Sequence, residues 1–405
     1  MLINASLLII TLIMGLVPLY LTYRFRKRLK HLFVYPDKSV CTPIGIIAPC
    51  KGLDPGFRDN ILALLNLEYP KYEIVFVVAS EADPAYVAIQ GILDEYGDED
   101  AGCSTQLLVA GVDNCRAQKL TNQLAAIKKI ADKTEILVFV DSDVRPEPDF
   151  LSKLIAPLDE PGVGATTGFR WYHPQAPTLG AILQSTWNAG ALPFLVDPKR
   201  NFAWGGAMAI RRDVFERAEI PERWDRAVSD DFPFTLGVRG LGLEVRFVPD
   251  CLAISYESSS LRQTLEFTNR QSIISRVYFP TLWWSAAIGH SAANILLLYG
   301  LFNLVSWLAT DEMVYLIGAG CTILLPLQLI NAHQLFKSIK PLLPKIESEL
   351  VRLHPYYLLA APLASLLSLV NTVYSATTRK ITWRGITYEL VSPNETVVIR
   401  NQSGE

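Results

Sequence analysis

The chain has 405 residues, of which 50% are hydrophobic and 19% charged. That mixture is too apolar for an ordinary soluble enzyme and too charged for a bundle of membrane helices alone. A formal net charge of −3 leaves no basic surface for nucleic acid, and six cysteines without C-x-x-C spacing or nearby histidine pairs argue against a disulfide framework or a zinc site.

The first element is the apolar run Leu2 to Thr22, long enough to span a hydrocarbon core. The cluster Arg24, Arg26, Lys27, Arg28 and Lys30 follows this run rather than preceding it. No A-x-A cleavage site is present, so the segment reads as an anchor and not as a signal peptide. We therefore expect a transmembrane anchor over 1–23 and a basic juxtamembrane linker over 24–41. Positive charge on the C-terminal flank places the following domain in the cytosol.

Residues 42–262 have the pattern of an α/β domain. Short runs rich in β-branched residues (Ile44–Ala48, Ile74–Val78, Leu107–Val109, Ile136–Val140) alternate with helical patterns. Such a layout predicts a mostly parallel sheet with helices on its faces, and ligands then bind beyond the carboxyl ends of the strands. Those ends are polar and acidic: Pro49-Cys50-Lys51-Gly52, Ser80-Glu81-Ala82-Asp83-Pro84 and Asp141-Ser142-Asp143. Asp83 reads equally as turn chemistry. The pair Asp141 and Asp143 needs a cation between its charges, and oxygen-ligating Mg²⁺ or Mn²⁺ holding a diphosphate meets that need. Neither G-x-x-x-x-G-K-[ST] nor G-x-G-x-x-G occurs, so phosphates are not held by those loops. Further on, Asp230-Asp231 is a second acidic pair, with a helix N-cap as the alternative reading. Trp204-Gly205-Gly206 reads as a close-approach loop, with a bulge or turn as the alternative.

An interfacial helix is expected over 263–281, where apolar residues alternate with Arg270 and Arg276. Residues 282–376 then carry about three long apolar segments: Leu282–Ala309, Met313–Phe336 and Tyr356–Ala376. The acidic link Thr310-Asp311-Glu312 reads as outside, and the loop with Lys337, Lys340, Lys345 and Arg352 as inside. A full crossing by the last segment would put Arg379, Lys380 and Arg384 of the tail, 377–405, on the outside against the charge bias. Either that segment re-enters, or the tail breaks the rule.

In their order, Lys51-Gly52-Leu53-Asp54-Pro55, Tyr69-Pro70-Lys71-Tyr72-Glu73-Ile74, Asp83-Pro84-Ala85, Lys119-Leu120-Thr121-Asn122, Asp141-Ser142-Asp143 and Ser229-Asp230-Asp231 resemble glycosyltransferase family 2, most closely its ceramide glucosyltransferase-like branch. With the flanking membrane segments the resemblance covers most of the chain. It implies an α/β fold of the GT-A type, a nucleotide-diphosphosugar transferase domain flanked by transmembrane helices. On this resemblance Asp83 contacts the nucleoside, while Asp141 and Asp143 bind the diphosphate through a divalent metal, Mg²⁺ or Mn²⁺. Lys119 and Asn122 help hold the donor, with a solvated surface lysine as the alternative for Lys119. Trp204, Gly205 and Gly206 shape the sugar pocket. Asp231 is the general base, paired with Asp230. The Q-x-x-R-W element of processive relatives is replaced by a stretch in which Arg270, Gln271 and Arg276 face the acceptor or diphosphate, or else simply mount an interfacial helix.

The resemblance thus implies an inverting, non-processive transfer of a hexose, with a UDP-sugar as the expected donor, onto a membrane-lipid hydroxyl such as that of a ceramide-like lipid. A polyprenyl-phosphate or polysaccharide glycosyltransferase is the enzymatic alternative. A non-catalytic transporter or scaffold is the alternative of another class. Transport usually shows several ionisable groups inside the spans, and only His290 lies in their clear interior.

Overall fold

The computed structural model describes residues 2–33, 42–96, 102–199 and 201–401. Part of the expected linker, 34–41, lies outside them. The chain divides into two compact units. One comprises Leu32–Trp171, Leu195–Tyr256 and Arg379–Glu405; the other comprises Met1–His31, Tyr172–Phe194 and Glu257–Thr378.

The first unit is built on strands β1 (Ile44–Pro49), β2 (Tyr72–Val78), β3 (Cys103–Val109), β4 (Ile136–Val140), β5 (Val163–Pro174), β6 (Ala207–Arg211) and β7 (Glu244–Glu257). They form one sheet in the order β3-β2-β1-β4-β6-β5-β7. β1 pairs in parallel with β2 and β4, and β2 with β3. Every residue of β1 and β4 is buried, as continuous apolar strands covered on both faces must be. β6 then runs antiparallel to both β4 and β5. The reversal matters for the site, because the loop entering β6 lies at the same sheet edge as the residues leaving β1, β2 and β4.

Of the segment 377–405, read from sequence as a tail, the described residues 377–401 are largely strand. β8 (Lys380–Trp383), β9 (Ile386–Ser392) and β10 (Glu395–Asn401) form an antiparallel sheet in the order β10-β9-β8, within the same unit as the large sheet. The Tyr388 hydroxyl accepts from the Gln118 backbone N–H at 3.3 Å. Arg384 reaches the loop after β1.

The second unit is helical. Among the described residues four of its helical segments are long and apolar enough to cross a membrane: Ser6–Leu29, Pro280–Thr310, Met313–Leu342 and Pro344–Thr377. Of the basic residues expected in a linker, Arg26, Lys27 and Arg28 form the last turn of the first helix, Leu2–Leu29. The expected interfacial element is the helix Leu261–Tyr278, started by a capping box between Ser260 and Gln263.

The helix Glu347–Thr377 carries a row of polar side chains, most of whose polar atoms are paired, although the buried Asn371 Nδ2 is not. Glu349 lies 2.7 Å from His173 Nε2, and Tyr357 accepts from Ser185 at 3.4 Å. Asn371 accepts from Thr268 at 3.1 Å, and Ser375 meets Ser272 at 2.9 Å. Unpaired, such groups would be costly in an apolar setting. His290 pairs with Ser365 at 3.2 Å, which accounts for the isolated histidine by packing.

Candidate active site

The carboxyl edge of the sheet gathers residues from distant parts of the sequence. Asp141 follows β4 directly, and Lys119 stands in the first turn of the helix Gln118–Ile127. Lys119 Nζ lies 2.6 Å from Asp141 Oδ1 and 2.7 Å from Asp230 Oδ2. All three side chains are largely buried, so the alternative of a solvated surface lysine does not describe Lys119. Burial works to lower its pKa, but the charges of Asp141 and Asp230 outweigh that and the net direction is up. The start of the Lys119 helix is tied in place, since the Ala117 N–H donates to Ala227 O at 3.0 Å and Arg116 bridges Asp113 and Asp225.

The Asp141-Ser142-Asp143 turn is not the uncompensated pair that its sequence suggests. Arg170, on β5, forks onto Asp143 at 2.8 and 2.7 Å and reaches Asp141 at 3.2 Å. Its guanidinium also lies over the Trp204 ring at 4.9 Å. For Asp141, burial raises the pKa, but Lys119 and Arg170 prevail and the net direction is down. For Asp143, burial prevails over Arg170 and the direction is up.

Asp230 and Asp231 start the helix Asp231–Gly240. Asp230 occupies the N-cap position but makes no capping bond. Its carboxylate instead receives Lys119 and, at 3.1 Å, the Gln123 amide. The indole of Trp224, packed on Phe139 in an aromatic cluster, donates to Asp230 O at 2.9 Å and fixes this corner. Asp231 Oδ1 accepts from the Ser229 hydroxyl and, at 2.8 Å, from the Phe232 N–H. Burial first, and the charge of Asp230 second, push the Asp231 pKa up to about 7. It is thus a carboxylate that exchanges its proton near neutrality, the property a general base requires.

The glycines at 205 and 206 serve close approach, but the approaching groups belong to the protein. A Cβ on Gly205 would lie 2.1 Å from Asp230 Oδ2, and one on Gly206 would lie 2.2 Å from the Trp204 ring. Gly206 O also accepts from the Asp141 N–H at 3.3 Å, which joins this loop to the end of β4. Asp83 accepts from the N–H groups of Gly52, at 2.8 Å, and Ala85, at 3.0 Å, and so ties the ends of β1 and β2 together. Asn122 is buried, with its amide on Val77 O at 3.2 Å and its oxygen on Gln118 at 2.8 Å. That placement supports the β2 end from within.

Arg270, Gln271 and Arg276 lie in the helical unit on Leu261–Tyr278. Arg270 stacks on Phe267 at 5.4 Å. Arg276 donates to Ser375 O at 2.5 Å and stacks on Trp283 at 5.7 Å, contacts suited to bracing one helix on others.

Several site residues escaped the sequence reading. Arg170 stands between the aromatic residues Phe169 and Trp171 of β5, which was its available signal. Gln123 carried none, and Ser229 and Asp54 stood inside quoted motifs with no role of their own assigned. Asp54 accepts from Ser142 Oγ at 3.0 Å and from Arg384 at 2.8 Å, a link that no local pattern announces.

A parallel-to-antiparallel sheet with acidic loops at one edge and apolar helices before and after it is the arrangement of a membrane-associated GT-A glycosyltransferase. The chain belongs to glycosyl transferase family 21, whose family model matches residues 7–396. The motif resemblance had pointed to family 2; the class of enzyme is the same. Among solved structures, the mannosyltransferase PcManGT from Pyrobaculum calidifontis, in complex with GDP-Man and Mn²⁺, is 15% identical, with 92% of this chain and 98% of that chain covered at a TM-score of 0.50. The two share the fold. Glucosyl-3-phosphoglycerate synthase from Mycobacterium tuberculosis, with Mn²⁺ and UDP-Glc, is 13% identical over 59% of this chain and 79% of that one, at a TM-score of 0.37.

Proposed function

We propose that this glycosyltransferase moves one hexose per turnover from a UDP-sugar onto a membrane-lipid hydroxyl of ceramide-like type, with inversion at the anomeric carbon. The observation that carries this reading is the buried chain Asp141–Lys119–Asp230, with Asp231 beside it holding a pKa of about 7. Asp231 takes the proton of the acceptor hydroxyl as that oxygen bonds to the anomeric carbon and the bond to the nucleoside diphosphate breaks. One displacement assisted by one base inverts the centre without a covalent intermediate. On this reading Lys119 stabilises the negative charge that grows on the departing diphosphate.

Asp141 and Asp143 bring hard carboxylate donors to one strand end, of the type that suits Mg²⁺ or Mn²⁺, and a metal there would take over oxygens that Lys119 and Arg170 hold in this structure. Among the described residues no group of three or more His, Cys, Asp or Glu is arranged to enclose a metal. Further ligands would then come from the diphosphate and water, the habit of Mg²⁺ at phosphate sites. When bound, the metal supplies positive charge to the diphosphate.

Chain connectivity supports a cytosolic site. The C-terminal sheet and the large sheet share one compact unit, so the chain leaves that unit after Tyr256 and rejoins it at Arg379. Both points lie on one side of a membrane only if the crossings between them are even in number. Pro280–Thr310 and Met313–Leu342, joined by an acidic link, form the crossing pair. The helix Glu347–Thr377, with polar partners along its length and prolines at 355 and 362, is the one that does not cross. On this reading Arg379, Lys380 and Arg384 obey the charge bias.

Membranes containing the protein are incubated with radiolabelled nucleotide sugars and the lipids are extracted. Label in one chloroform-soluble product of discrete size is the expected result. Label only in a long polymer or in a polyprenyl phosphate would replace this acceptor assignment.

A further inference from the structure

We propose that Arg384, delivered by the C-terminal sheet, binds the diphosphate of the nucleotide donor. The inference rests on the reading of the sheet edge as a nucleotide-sugar site, and it adds a residue that lies outside every motif used for that reading. β8 and β9 pair at Trp383 and Ile386, so Arg384 and Gly385 form a two-residue hairpin loop. Both have positive φ, 48° and 81°. Such loops favour Asn, Asp or Gly, because a Cβ at positive φ crowds the neighbouring carbonyl oxygen. An arginine here is poorly suited to the turn and is explained by its side chain.

That side chain enters the carboxyl edge. Nη1 donates to Lys51 O at 2.6 Å and Nη2 to Asp54 Oδ1 at 2.8 Å. Asp54 in turn accepts from Ser142, inside the Asp141–Asp143 turn. The hairpin is therefore coupled through two hydrogen bonds to the acidic turn assigned to the diphosphate. The Arg384 pKa is governed first by burial, which lowers it, and then by Asp54, Asp143 and Asp141, which together carry it upward. The Arg384 side chain nevertheless keeps 37% of its surface exposed. A guanidinium has five N–H donors, and its planar fork matches phosphate oxygens. Placed between an acidic turn and solvent, it can hold its protein partners and still offer a charged fork to an incoming diphosphate.

The test uses the full-length protein in detergent and measures binding of UDP and GDP, each with Mn²⁺, beside uridine and guanosine. Thermal unfolding of each variant checks that it folds. With Arg384→Ala, affinity for the preferred nucleoside diphosphate should fall roughly tenfold or more, as expected for loss of a charge-assisted bond. Affinity for the matching nucleoside should change less than about twofold, because that ligand carries no phosphate. Arg384→Lys should recover part of the loss and Arg384→Gln little. Unchanged diphosphate affinity in Arg384→Ala, or equal losses for diphosphate and nucleoside, would make the residue a brace and overturn the inference alone. A wild-type protein that binds neither diphosphate would overturn the nucleotide-sugar reading together with the inference.

Discussion

Lys119 Nζ lies 2.7 Å from Asp230 Oδ2, although the two residues are separated by more than 100 positions in the chain. The contact joins the parallel, N-terminal part of the sheet to the helix that begins at Asp231. Replacing Lys119 by Met leaves Asp141 and Asp230 buried without their shared cation. Breaking a buried pair from one side typically costs about 3–5 kcal/mol. We expect a clear fall in melting temperature together with loss of transfer. A Lys119→Met protein as stable as wild type would contradict the bridging role.

Asp231→Asn should lower kcat by about 10²–10⁴, the usual contribution of a general base, while nucleotide-sugar binding changes little. Single-turnover rates and donor titration separate the two effects. A larger kcat loss for Asp230→Asn would move the base assignment to the other member of the pair.

The Asp231 pKa of about 7 sets the pH dependence. Below that value the carboxyl is protonated and cannot accept, so kcat should fall about tenfold per pH unit on the acid side. The Ser229 hydrogen bond favours the carboxylate, so Ser229→Ala should move this limb to higher pH. A limb that moves down, or stays, contradicts the assignment. Stability carries the same sign: the folded pKa lies above the ordinary 3.8, so the contribution of the protonated form is complete below about pH 4 and is lost as pH rises through 7. Asp231→Asn should accordingly unfold at a higher temperature than wild type at pH 8.

Exhaustive chelation should abolish transfer, and added Mn²⁺ or Mg²⁺ should restore it. Asp143→Asn should raise the metal concentration needed for half-maximal activity. Full turnover after chelation would remove the metal from the scheme.

Single cysteines placed at Ser392 and in the link at Thr310 test the sidedness. In intact cells, an impermeant thiol reagent should label position 310 and spare position 392. Labelling of both would mean that the C-terminal sheet lies outside and that the even-crossing argument fails.

Local pattern was enough for the elements and for the acids at their ends. Apolar runs of β-branched residues make β1, β2 and β4 wherever they fold, and a parallel arrangement forces Asp83 and Asp141 to one edge. Apolar length alone marked the membrane-compatible helices. What neighbours could not encode was pairing at a distance. Arg170 neutralises Asp143 because β5 runs beside β6 in the folded sheet. Gly205 is required because Asp230 packs against it, a contact that exists only after the helix Asp231–Gly240 docks. Residues 377–405 read as a loose basic end because each short strand gains its hydrogen bonds from the next, and its place beside Lys51 and Gln118 depends on bonds spanning about 270 to 330 residues. Charge bias by itself left the side of that segment undecided; its shared unit with the large sheet is a matter of tertiary contact, which local sequence does not carry.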